Sequence, residues 1–256
     1  MKKMPVLFIG HGSPMNAIED NAFTREWVET GRSLPRPRAV LSVSAHWVTG
    51  GTSVTDILHP RMVYDMYGFP KELYEVDYRP AGAPELAHAV LGLLPHAIVD
   101  NRWGIDHGTW SVLCRMFPEA DIPVFQVSLD AGASREDHYA MGQALAPLCE
   151  QGVLILGSGN VVHNLPLVEW TRAGGFPWAQ EFDHYIQERI LAGDTDGVIH
   201  YEKAGASSQN AFRTTEHFDP LLYALGAAGS SSGAVVFNDR CIMGSISMTC
   251  YRFDEP

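Results

Sequence analysis

The chain has 256 residues, 46% hydrophobic and 19% charged, the balance of a folded protein with a sizeable core. Its 18 Lys and Arg against 30 Asp and Glu give a formal charge of −12, which argues against nucleic acid or a membrane surface as partner. No stretch approaches the ~20 apolar residues of a membrane span. The apolar run after the basic start is too short for a signal peptide. Four cysteines (Cys114, Cys149, Cys241, Cys250) form no CxxC pair, so a cytoplasmic setting is expected. Cys241 and Cys250 are the one pair that a hairpin brings within reach.

In chain order, residues 6–10 read as a buried strand that runs into Gly10-His11-Gly12-Ser13-Pro14. Phe23, Trp27 and Val28 fall at helical spacing and predict a helix to Gly31. A Pro- and Arg-rich loop over 33–38 leads to a strand over 39–45, which ends at His46-Trp47. A third strand is possible over 52–58. Residues 59–83 form a long irregular excursion with Tyr64, Tyr67, Tyr74 and Tyr78, and long loops are often functional. A helix over 84–94 and a short strand over 97–100 follow. Asp106-His107 opens a helix to about 117. A strand is predicted over 122–129 and a helix over 134–149, with Ser134 and Asp137 close to a capping box. Then come a strand over 153–157 and an amphipathic helix over 177–191. Asp219 as N-cap and Pro220 at the first position start a helix to Leu225. A flexible linker over 229–233 precedes two strands closing the sheet as a hairpin over 235–253. The alternation predicts an α/β fold, one domain over 1–256 built as a mixed β-sheet with helices on both faces.

Three strands lead to histidines: 6–10 into His11, 39–45 into His46, and 153–157 through Gly157-Ser158-Gly159-Asn160 to His163. Strand ends in an open α/β sheet converge on one edge, where ligands bind. Neutral imidazole is the commonest metal ligand, so several histidines at that edge point to a metal site. His217, just before a helix start, is a fourth candidate. Among 11 histidines, His59, His88, His96, His138, His184 and His200 have no ligand spacing and read as structural or solvent-facing. Glycines on both sides of His11 let the backbone turn sharply, and Trp47 is a candidate pocket wall. His107 sits at a helix start, where the dipole disfavours protonation; a neutral imidazole there serves as base or hydrogen-bond donor. HExxH and P-loop patterns are absent, and Ser13 and Ser158 lie in no nucleophile elbow.

Gly-His-Gly-Ser-Pro-Met at 10–15, Ser-Ala-His-Trp at 44–47, Asp-His-Gly-Thr-Trp at 106–110, Gly-Ser-Gly-Asn-Val-Val-His-Asn at 157–164 and Glu-His-Phe-Asp-Pro-Leu at 216–221 occur in that order across nearly the whole chain. Together they resemble the DOPA 4,5-dioxygenase group of extradiol ring-cleaving dioxygenases, related to the protocatechuate 4,5-dioxygenase β-subunit. The resemblance implies a catechol substrate, O2, and one divalent metal per chain, Fe(II) for activity or Zn(II) as bound. It implies His11, His46 and His217 as metal ligands and His163 as catalytic base or fourth ligand. It places His107 near substrate and oxygen. The ring opens to a muconic semialdehyde. A facial triad usually has two His and one carboxylate; here the third position is His217, and neighbouring Glu216 points elsewhere in an extended backbone.

Two other enzymes fit parts of the pattern. A tetrapyrrole metal chelatase also begins with a strand and a Gly-His-Gly-Ser turn, but needs neither the 106–110 segment nor His217. A zinc-dependent hydrolase suits the ligands but lacks a general-base Glu in a recognisable motif. The catechol and the oligomeric state are not fixed by sequence.

Overall fold

The computed structural model of the protein describes residues 3–229 and 232–255. The predicted linker over 229–233 contains residues 230 and 231, which lie outside the described residues. The strands are β1 (Val6–Gly10), β2 (Ala39–Thr49), β3 (Ser53–Val54), β4 (Ile98–Val99), β5 (Val124–Asp130), β6 (Val153–Gly159), β7 (Gly233–Phe237), β8 (Cys241–Ile242), β9 (Ile246–Ser247) and β10 (Cys250–Asp254). The α-helices are α1 (Ala22–Ser33), α2 (Lys71–Tyr74), α3 (Pro84–Leu93), α4 (His107–Met116), α5 (Arg135–Leu145), α6 (Pro147–Glu150), α7 (Pro177–Leu191), α8 (Thr195–Ile199) and α9 (Asp219–Ala228).

Eight strands form one mixed sheet in the order β4-β3-β5-β2-β6-β1-β10-β7. The central four, β5-β2-β6-β1, are parallel, and β10 joins β1 antiparallel. Such strands are covered on both faces and read as continuous apolar runs; β1 and β6 are buried along their whole length. Successive residues of a strand point to opposite faces. On β6, a Cβ at Gly157 would meet Pro220 of α9, while Ser158 Oγ reaches Gly108 O in α4. Helices therefore flank both faces. α1 packs with α4, and α5 with α9.

The structure refines several boundaries. The helix predicted over 134–149 divides between α5 and α6, because Pro147 supplies no backbone N–H. Ser134 does cap α5 as a full capping box with Asp137. The strands expected over 52–58 and 97–100 shrink to two residues each. β7 and β10 pair antiparallel as expected, with the β8–β9 ladder between them. Asp219 is the first residue of α9 rather than its cap; Phe218 holds the cap position and the Asp219 carboxylate accepts from Thr215 Oγ1. All four cysteines are free. No helix among the described residues is long and apolar enough to cross a membrane.

Candidate metal centre

β2, β6 and β1 are neighbours in the sheet, so their carboxyl ends deliver side chains to one place. His11 follows β1 directly, and its N–H donates to Gly159 O at 3.0 Å. His46 lies within β2 where the ladder slips, Val43 facing Val127 but Val48 facing Leu129. Such a bulge re-aims a side chain and is frequent beside active sites. His217 precedes α9, and its carbonyl accepts from Asn160 N at 2.7 Å. That contact needs a glycine at 159, since a Cβ there would stand 2.1 Å from His217 O. The ligand atoms of His11, His46 and His217 all lie within 4.8 Å of one another.

Their tautomers follow from their partners. Ser158 Oγ donates its one proton to Gly108 O, 2.5 Å away, so it accepts from His11 Nδ1 at 3.0 Å. The His11 lone pair is therefore on Nε2. Asp65 Oδ2 stands 3.2 Å from His46 Nδ1. Asp65 is buried, which alone would raise its pKa, but contacts with His107 and His46 hold it below the ordinary carboxylate value. It is thus anionic beside His46, although the contact is not aligned as a hydrogen bond; with Nδ1 protonated toward that charge, His46 would carry its lone pair on Nε2. The two Nε2 atoms face each other at 3.2 Å. Two lone pairs that close repel unless a cation lies between them. Nitrogens about 2.1 Å from one ion at a tetrahedral angle stand about 3.4 Å apart, which matches.

Burial keeps these rings neutral and ready to ligate. It lowers His11 and His217 well below the ordinary value, reinforced by the neighbouring histidines. It brings His46 down to about 3 and His163 to about 4, in both cases with help from His107.

His163 stands apart from the three. Its ring stacks flat on His217, with centroids 3.5 Å apart and planes at 5°. His107 packs against His46 with centroids 3.9 Å apart. Its Nδ1 is 3.0 Å from Asp65 Oδ1, and Asp65 also accepts the His107 backbone N–H. His46, Asp65 and His107 thus form a second group of close ligand atoms. It shares His46 with the first. Asp106 caps α4 through Thr109 N and accepts from Ser44, Gln126 and Trp103 while fully buried.

Asp65 and Ser158 are the residues that sequence reasoning missed. Asp65 sits in the irregular excursion and follows no periodicity; the excursion's length was the only signal. Trp47 is buried against Trp103 rather than lining the site. None of the four tyrosines lines the pocket. Tyr64 packs on Tyr74 and Trp110, Tyr67 is 92% exposed and Tyr78 is buried.

His46, His163 and His217 open onto a pocket of about 380 Å³ with Val48, Leu165 and Pro166 as an apolar wall. That size suits a small organic ligand. A pocket at the carboxyl edge of an α/β sheet, based on neutral imidazoles whose ligand atoms lie close enough to hold one ion, is a candidate metal centre of an α/β enzyme. The chain belongs to the family described as the catalytic LigB subunit of aromatic ring-opening dioxygenase, which matches residues 5–251. It is 41% identical to the 4,5-DOPA dioxygenase extradiol of Escherichia coli K12, covering 96% of this chain and 93% of that protein. It is 38% identical to the 4,5-DOPA dioxygenase extradiol of Beta vulgaris, over 96% and 95%. The crystal structure of an uncharacterised Escherichia coli K12 protein matches with a TM-score of 0.85 at 38% identity, covering 98% of this chain and all of that one. The chain is thus a metal-dependent extradiol ring-cleaving dioxygenase, and the chelatase and hydrolase readings fall away.

Proposed function

We propose that the protein opens the ring of a catechol carrying an amino-acid side chain, DOPA or a close relative, with O2 to give a muconic semialdehyde. One divalent metal would be held by His11, His46 and His217. The observation that carries this reading is the close approach of the His11 and His46 Nε2 atoms, 3.2 Å apart. An all-nitrogen donor set suits iron(II), which we assign to turnover, and also zinc. When bound, the metal supplies Lewis acidity toward the two catechol oxygens and redox coupling to O2.

The protein's own residues do the rest. Ser158 and Asp65 fix the two tautomers, and such partners typically change metal affinity or activity 10- to 100-fold, in order of magnitude about what one well-placed hydrogen bond gives. His163, neutral and lining the pocket, takes a proton from a catechol hydroxyl at a ring nitrogen. His107, with Asp65 at Nδ1, presents Nε2 as an acceptor when neutral. There it takes a hydrogen bond from a substrate hydroxyl, the base side of the base-or-donor role that the helix start implies. The single catalytic domain and four free thiols are consistent with a cytoplasmic enzyme.

The test is anaerobic reconstitution with Fe(II), then DOPA and O2. The expected result is the yellow semialdehyde with matching oxygen uptake, lost with His163→Ala by roughly 10²–10⁴ in turnover. No product from any catechol would sink the reading.

A further inference from the structure

The loop that carries His217 also brings two charged side chains to the pocket, Arg213 and Glu216. Arg213 is exposed and Glu216 half-buried. They are three residues apart, of opposite sign, and face one cavity with His163 and His217; residues 216–218 form a turn rather than extended backbone, so Glu216 does not point away from His217 as the sequence suggests. Yet among the described residues neither comes within the 4.0 Å of an ion pair, with the other or with any third residue. Among the described residues neither side chain makes a hydrogen bond to the protein. Several other arginines are engaged, Arg25 with Asp20, Arg135 with Glu202 and Arg189 with Asp194. The chain as a whole is strongly acidic, −12 in formal charge, so its field repels anions. A free guanidinium at this mouth supplies the local attraction that the rest of the surface withholds.

We infer that Arg213 and Glu216 form the side-chain subsite, selecting a catechol whose substituent ends in an amino-acid group. Arg213 donates to the substrate carboxylate in a charge-assisted, two-pronged geometry. Glu216 accepts from the substrate ammonium. The ring lies between, against Val48 and Leu165 and toward the histidines. The two protein charges stand apart because the substrate's own pair of charges completes them. A substituent with a carboxylate alone satisfies Arg213 and crowds Glu216; an amine alone does the opposite. The inference rests on the ring-opening reading and names what selects the substrate.

The test uses the full-length, iron-loaded protein with four catechols: DOPA, dihydrocaffeate, dopamine and methylcatechol. The readout is the ratio of kcat/KM values. In Arg213→Gln, the preference for DOPA over methylcatechol is expected to fall about 10- to 100-fold, chiefly through KM. Arg213→Lys should retain part of it, since it keeps the charge and loses the fork. In Glu216→Gln, the preference for DOPA over dihydrocaffeate should fall about 10-fold. A parallel measurement needs no turnover: calorimetric Kd values for DOPA on zinc-loaded protein should weaken by the same factors. Unchanged ratios and unchanged Kd values in both glutamine variants overturn the subsite. If the wild type opens no catechol ring at all, the ring-opening reading fails, and the calorimetric arm still decides whether these residues hold the amino-acid group.

Discussion

A single hydroxyl proton organises much of the site. Ser158 spends it on Gly108 O and must then accept from His11, which sets the lone pair that faces His46. Ser158→Ala should therefore leave the fold intact and weaken metal binding about 10- to 100-fold, measured by competition with a chelator. Unchanged affinity would remove Ser158 from the site. Asp65→Asn tests the other side: it removes the negative charge that stands beside both His46 Nδ1 and His107 Nδ1, so metal affinity should fall comparably while Asp65→Glu restores part of it. The neutral histidines also give the metal-free protein a characteristic acid sensitivity. Burial, aided by His107, holds His46 at about 3 and His163 at about 4 in the folded state, against about 6.5 in an unfolded chain. The unfolded chain thus takes up protons first as pH falls. Stability is full above about pH 6.5 and drains between there and about pH 4, by about 1.4 kcal/mol per pH unit for each such histidine. Denaturation midpoints of apoprotein at pH 7.5 and pH 5 check this, and a flat profile contradicts it.

At the scale of elements, the site depends on two irregularities. β2 bulges between Val43 and Val48 and so turns His46 into the site. β6 ends in a glycine close enough for the His217 carbonyl to lie against it. Gly159→Ala would force that carbonyl away at a cost of about 1–3 kcal/mol in packing, and the His217 ligand would move with it. A drop in melting temperature together with lost metal is expected; loss of stability with full metal retention would show that His217 is not tied to β6. This is also where sequence legibility divides. Continuous apolar runs made β1, β2 and β6 readable, and each led directly to a histidine or glycine motif. The bulge in β2 leaves no mark in composition. The Pro147 break was visible as a residue but was outweighed by the helical pattern on both sides. Asp65 was hidden because its role is set by tertiary approach from a loop, which no periodicity encodes. His107 was legible as a helix start with an Asp cap, but not as a partner of Asp65.

For the whole molecule, the sheet order matters more than any one strand. Because β1, β2 and β6 are adjacent, residues distant in sequence come together, His11 near the start, His46 in the second strand and His217 just before α9, with their ligand atoms within 4.8 Å of one another. A metal held by these three clips the chain across a loop of some two hundred residues, and such a clip acts on the entire fold. Ligand binding to the folded state alone stabilises by mass action, about 2.7 kcal/mol when free metal is 100 times its Kd. For a domain of this length each kcal/mol shifts Tm by about 2–4 °C, so metal removal should lower Tm by about 5–10 °C. The shift should follow the three ligands rather than general ion effects. His11→Ala is therefore expected to melt at one temperature with or without chelator, because it binds no metal to lose. Calorimetric scans of wild type and His11→Ala, each with and without chelator and each assayed for bound metal, check the argument. An equal shift in both proteins would mean that the stabilising ion sits elsewhere.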